Sequence, residues 1–280
     1  MKEHMNQLIE TEKERFPFGD NWKKYLNVLT DAHINEAEKA LKDFLGVKDL
    51  KGKRFLDIGS GSGLHSLAAR KMGAEIFSFD YDAQSVACTE ELKRRFFPND
   101  LNWEIGQGSV LNRSYMDQLG SFDVAYAWGV LHHTGSLWQA IYNAQRPLKP
   151  GGLLFIAIYN DQGLISSFWR IIKRTYCSGP MGKLLMASIF YPFFFFAGLL
   201  IDILHFRNPG VRYQEHKKYR GMSLLHDWRD WLGGYPFEPA NSQEVISFVN
   251  NLGFELVRYE STRHGFGNNQ FLFKKIQWAD

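Results

Sequence analysis

The chain has 280 residues, 45% of them apolar and 22% charged, with a formal net charge of +3 and two cysteines. That is an ordinary globular composition with enough apolar residues for a core, so a small disulfide-framework protein is excluded, and Cys88 and Cys177, in no nucleophile motif, point to a reducing compartment. The charge is too weak to imply a nucleic-acid partner, no basic stripe interleaves with aromatics, and anionic small substrates stay open.

Residues 1–50 read as helical: 1–15 are charged and polar, the string FPFGDNW breaks the pattern, and 32–45 carry apolar residues at helical spacing. Next comes the most informative segment, FLDIGSGSGLHS at 55–66, a short apolar strand running into glycines at alternate positions and then into a helix pattern. Glycines at a strand-to-helix turn let the backbone approach a ligand, and the helix N-terminus supplies unsatisfied N–H donors. A dinucleotide fingerprint needs G-x-G-x-x-G, but the sixth position is Leu64 counted from Gly59 and Ser66 counted from Gly61. The observed form is D-x-G-x-G-x-G, from Asp57 through Gly59 and Gly61 to Gly63, with Ser60 and His65 alongside. This resembles motif I of the class I S-adenosylmethionine-dependent methyltransferases.

Four further segments agree in order with that resemblance. AEIFSFDYD at 74–82 is an apolar run ending in acid, with Asp80 seventeen residues beyond Gly63, where a second parallel strand should end. A carboxylate there accepts two hydrogen bonds from a ribose diol, with Tyr81 next to it; an ordinary turn acid is the alternative. IGQGSVL at 105–111 resembles the segment after the third strand, where the family commonly has an acid for the adenine amino group; here Ser109 stands there, leaving adenine to its hydroxyl or to the backbone of Val110. SFDVAYAWGVLHHT at 121–134 reads as a central fourth strand with Trp128 and Gly129 at its carboxyl end, where ligands of open α/β sheets bind. LKPGGLLFIAIYN at 148–160 reads as a helix end, a Pro-Gly-Gly turn and a buried strand ending near Tyr159. The resemblance implies an α/β, Rossmann-like, doubly wound sheet of seven strands, mostly parallel with an antiparallel last strand, and S-adenosyl-L-methionine as cofactor.

More than ninety residues separate Tyr159 from the next strand expected, at 254–260, and acceptor choice is expected to lie in that helical insertion. Its middle, 184–202, holds about eighteen residues without charge, close to the lower limit for a membrane span. Three readings compete: a span, weakened by Pro192; an interfacial helix pair flanked by Lys173, Arg174, Lys183, His205, Arg207 and Arg212; and helices packed on the core or on a second subunit. The insertion closes on a helix bearing Trp228, Trp231 and Leu232, stopped by Gly233 and Gly234. That string resembles quinol-methylase-like members. A helix at 243–252, a strand at 254–260, a loop at 261–269 containing Asn268 and a strand at 270–275 finish the chain.

The expected organisation is therefore an N-terminal helical lid at 1–50, a cofactor core at 51–160, an aromatic-rich insertion at 161–240 serving substrate, membrane or oligomer, and a final helix and two strands at 241–280. By the resemblance, Phe16, Phe18 and Trp22 around Pro17 and Gly19 form an aromatic lid over the methionine end; a hydrophobic staple for the N-terminal helix is the other reading. Phe18, Trp22, Tyr159, Trp228 and Asn268 are the substrate and lid candidates. Catalysis in this class is placement of acceptor, methyl and sulfur, with a base needed only for a protonated acceptor. His133 is the first choice of base and His132 the second, against the bland reading of paired histidines that cap a helix or orient a loop; His65 and His226 rank lower. No metal constellation is visible. An Asn-Pro-Pro-Tyr string after the fourth strand and a Pro-Cys nucleophile are both missing, which moves nucleic acid down.

The sequence therefore points to a methyltransferase acting on a small or lipid-linked acceptor, most readily at oxygen. Its alternatives are a sulfur, nitrogen or arsenic acceptor, or a cofactor-binding regulatory protein without turnover. The expected setting is cytoplasmic, with membrane-surface contact and a homo-oligomer through the insertion as further options.

Overall fold

The computed structural model describes residues 16–205, 208, 224–262 and 267–276. The segment 1–15, Arg207, Arg212, the side chain of His226 and the loop tip 263–266 lie outside it. The chain divides into two compact units, one of Met1–Val28 with Gln162–Phe237 and one of Leu29–Asp161 with Glu238–Asp280.

The second unit is built on a seven-stranded sheet. Its strands are β1 (Arg54–Ile58), β2 (Glu75–Asp80), β3 (Trp103–Gln107), β4 (Phe122–Trp128), β5 (Leu148–Tyr159), β6 (Phe254–Glu260) and β7 (Asn268–Lys275), in the order β3-β2-β1-β4-β5-β7-β6. All neighbours from β3 to β5 pair in parallel, and β7 runs antiparallel to both β5 and β6. The order reverses at β1, so the ligand crevice of such a sheet opens at the carboxyl ends of β1 and β4.

Strand alternation sorts the two faces. Leu56 and Ile58 join Met116, Leu137, Ile141 and Val245 in one apolar cluster. Their neighbours Phe55 and Asp57 face the other side, where Phe55 lies 5.7 Å from the Tyr126 ring and Phe44 stacks 4.1 Å from Phe155. Phe44 belongs to α2 (Asp31–Leu45), which follows α1 (Gly19–Leu26); between the strands come α3 (Leu64–Lys71), α4 (Ala83–Phe96), α5 (Arg113–Gln118) and α6 (Leu137–Ala144).

The other unit carries α7 (Leu164–Cys177), α8 (Pro180–Leu204) and α9 (Leu224–Gly233), whereas α10 (Ser242–Asn251) returns to the sheet unit. Phe16, Ile172, Tyr176 and Leu232 form its small core, with Trp169, Met186, Phe190, Tyr191 and Phe194 partly buried against them. Gly233 ends α9 hard against the Phe16 ring, where a Cβ would come within 2.1 Å.

Three local expectations are corrected. The string FPFGDNW breaks the chain only as far as Phe18, because the Phe18 carbonyl accepts the Asn21 and Trp22 N–H groups and opens α1 at Gly19. The Pro-Gly-Gly turn lies inside β5: the register jumps from Phe122 opposite Leu148 to Val124 opposite Leu153, and Gly151 takes φ +75° to loop out the extra residues. Lys173 is no exposed flank of the apolar run, since it is buried and donates to the Trp231 carbonyl.

Candidate active site

The glycine loop leaves β1 and enters α3 through three residues of left-handed conformation, Gly59, Gly61 and Gly63 at φ +74°, +56° and +79°. Two reasons demand glycine at Gly59: the positive φ, and Val130, whose Cγ1 stands 2.4 Å from where a Cβ would be. At Gly63 a Cβ would meet the Thr89 backbone at 3.0 Å. Ser60 is pinned to the same helix by a 2.9 Å hydroxyl bond to Thr89, and its carbonyl accepts the Gly63 N–H.

Asp80, at the end of β2, holds this loop. Its Oδ2 accepts the Gly61 N–H at 3.0 Å and its Oδ1 accepts the Asp82 N–H at 2.9 Å. A carboxylate has about four acceptor directions, so lone pairs remain for a diol. Tyr81 beside it is 43% exposed, and its carbonyl accepts from Gln107.

Asp57 sits lower, beneath α3 and only 2% exposed. In register it lies between Ser78 of β2 and Tyr126 of β4. Ser66 donates to its Oδ2 at 2.5 Å and also bonds the Ser78 hydroxyl, which accepts from the Trp103 indole. Burial pushes the Asp57 carboxyl up to about 7, Ser66 pulling it down and the Asp80 charge adding to the rise. The same burial holds the Tyr126 phenol well above its ordinary value. His65, half-buried with its ring 5.0 Å from Tyr126 and 6.4 Å from Trp128, is pushed down to about 4 by desolvation and is neutral at pH 7.

Past β4, Trp128 is 43% exposed and its indole donates to Gln270 of β7. Gly129, at φ +74°, passes within 3.8 Å of the Asn268 amide, measured from a Cβ position. The Asn268 Oδ1 is buried without a hydrogen-bond partner among the described residues. A 3₁₀ turn, Leu131–His133, follows. His132 is fully buried, its Nδ1 accepts the Tyr159 N–H, and its carbonyl accepts the Glu238 N–H. His133 is half-buried, 5.6 Å from the Tyr159 ring. Ser109 spends its hydroxyl on the Leu111 N–H, and buried Val110 offers its carbonyl to Asn143. Phe18, Trp22 and Trp228 are half-buried and belong to the other unit. Among the described residues no group of three or more His, Cys, Asp or Glu is placed to hold a metal ion.

Val130, Ser66, Ser78 and Gln270 were not among the expected site residues. Only Ser66, one helical turn into α3, lay close enough to the motif to be found from sequence; the others meet it through strand register.

A family model described as "Methyltransferase domain" matches residues 56–156, the span from β1 to β5 that carries this loop. The core is a class I S-adenosylmethionine-dependent methyltransferase domain. Among curated proteins, this methyltransferase core is 28% identical over 139 residues to a ubiquinone biosynthesis O-methyltransferase of Bradyrhizobium, covering 48% of this chain and 50% of that one. It is 27% identical to a tRNA U34 carboxymethyltransferase of Idiomarina loihiensis, covering 39% of this chain and 33% of the other. The chain thus spans half or less of the length of these relatives. The fold recurs in the magnesium protoporphyrin IX methyltransferase of Synechocystis at TM-score 0.54 and 11% identity, covering 91% of this chain and 94% of that one.

Proposed function

We propose that the protein binds S-adenosyl-L-methionine at the β1–α3 loop and transfers its methyl group to an oxygen of a small or lipid-linked acceptor. The observation that carries this reading is the grip of Asp80 on Gly61: it fixes a cradle of positive-φ glycines beside a carboxylate that keeps lone pairs for a ribose diol. When bound, the cofactor supplies a methyl group already activated on a sulfonium.

Gly59, Ser60, Gly61 and Gly63 admit the cofactor backbone-close, and Asp80 accepts the ribose hydroxyls. Tyr81, Ser109 and Val110 bound the adenine side. His65, Trp128 and Gly129 bound the methionine side, and Asp57, enclosed beneath α3, holds that helix through Ser66. Neutral His65 adds no positive charge to repel a sulfonium, and the partly exposed indole of Trp128 favours a cation. For a hydroxyl acceptor, a base at this strand end would take the hydroxyl proton. His133 takes that role, while His132, committed to Tyr159 and Glu238, positions the loop. Tyr159 and Asn268, paired across β5 and β7, line the acceptor side of the same strand ends.

The likeness to an O-methyltransferase supports oxygen; the tRNA-modifying relative keeps RNA as the second reading. Purified protein incubated with methyl-labelled S-adenosylmethionine and a host extract split into lipid, small-metabolite and RNA fractions tests both. Label on oxygen in lipid or small metabolites is the expected result. Label in RNA moves the acceptor class, and no label despite tight cofactor binding leaves a binding protein without turnover.

A further inference from the structure

Among the described residues one helix, α8, is long and apolar enough to cross a membrane. One side of α8 is occupied: Met186, Ala187, Phe190, Tyr191 and Phe194 pack on the Phe16, Ile172, Tyr176 and Leu232 cluster, and Phe194 lies 5.7 Å from the Trp228 ring. The rest is open, with Phe193 59% and Phe196 64% exposed. The adjoining α7 repeats the pattern. Its Leu164, Phe168 and Ile171, at helical spacing, are all more than half exposed although its other side builds the core. Two neighbouring helices that each bury one side and still show large apolar side chains on the other form a patch well beyond scattered surface leucines.

We propose that the α7–α8 surface docks on an anionic lipid bilayer, lying in the headgroup and upper acyl region without crossing it. Charge selects the occupant. From residue 162 to 204 the chain carries Arg170, Lys173, Arg174 and Lys183 against a single acid, Asp202. Lys173 and Asp202 are buried, so the charge shown to solvent is basic. A basic fringe around an apolar, phenylalanine-rich face suits anionic headgroups above acyl chains. A second copy across a two-fold axis would instead set like charges around the same apolar face. Crossing is disfavoured because the Met186–Phe194 stretch of α8 is packed on α7 and α9, and the Lys173 ammonium that joins those two helices would have to follow it into hydrocarbon. This docking stands whether or not the site transfers methyl groups.

Flotation of the full chain with vesicles of phosphatidylcholine alone and of an equal mixture with phosphatidylglycerol tests it. The protein should float with the mixed vesicles, less with the neutral ones, and less at high salt. Changing Phe193, Phe195 and Phe196 together to serine should lower the bound fraction by about tenfold or more. These rings are exposed, so the melting curve should be unchanged; Leu164→Ser with Phe168→Ser on α7 is the independent second variant. No flotation with either vesicle, or equal flotation of both variants, overturns the proposal. So does protein that resists salt and alkaline washing and yields only to detergent, which would mean a span. A dimer abolished by the same variants, without flotation, would assign the surface to a second copy and overturn it too.

Discussion

Asp57 and Asp80 are both acids of the glycine motif's strands, yet their surroundings give them opposite characters. Asp80 stands at a strand end with two backbone N–H partners, so it is built as an acceptor. Asp80→Ala should weaken S-adenosylmethionine binding by on the order of 2–4 kcal/mol, the value of two charge-assisted hydrogen bonds; an unchanged calorimetric affinity would remove the residue from the site. Asp57 is enclosed, and its carboxyl is raised to about 7 by burial. A raised carboxyl favours the protonated folded state, so this group's contribution is full below its unfolded value near 3.8 and is lost as pH rises toward 7. Relative to Asp57→Asn, the wild type should therefore lose stability between pH 4 and pH 8, by on the order of 4 kcal/mol given about 1.4 per pKa unit. Urea melts of both proteins at several pH values check this, and parallel curves would contradict it. The acid and its spacing were legible in the string DIGSGSG, but its burial came from Ser66, Ser78 and Tyr126, which only strand register brings to it.

At the level of elements, the loop and α8 show what a local string can and cannot say. Positive φ at Gly59, Gly61 and Gly63 follows from the pattern itself, because a strand entering a helix this tightly needs left-handed residues. The second reason at Gly59, contact with Val130, was invisible, since Val130 arrives from the far end of β4. Gly59→Ala should accordingly cost both stability and cofactor affinity, the strained φ alone costing on the order of 1 kcal/mol, with thermal melts and calorimetry as the readouts. In α8 the sequence showed an apolar run without saying which rings turn inward. Phe194 packs against Trp169 and Trp228 while Phe193 is 59% exposed. Phe194→Ser should then destabilise by on the order of 2 kcal/mol, whereas Phe193→Ser should leave the melt within about 0.5 kcal/mol. Equal losses would mean that both rings are covered. The Pro-Gly-Gly string was read as a turn because it carries turn residues. Pairing with β4 on both sides turned it into a bulge within one strand.

Across the whole molecule, the catalytic claim depends on His133, which should separate placement from proton transfer. His133→Ala should lower kcat by about a hundredfold or more while leaving cofactor affinity nearly unchanged, measured on whichever fraction takes up the label. An unaltered kcat would mean an acceptor that needs no base. The sequence by itself determined the glycine loop and the existence of an apolar insertion, because each is written in contiguous residues, alternating glycines and an uncharged run, and it carried the sheet class and the cofactor through the resemblance of those strings to a known family. Tertiary structure alone decided that 16–28 joins the insertion's unit and not the sheet's, that Asp57 is sealed under α3, and that α8 leaves most of its surface open. Those outcomes depend on which distant side chains arrive to exclude water, and desolvation is a property of the assembled neighbourhood, not of any one stretch of chain.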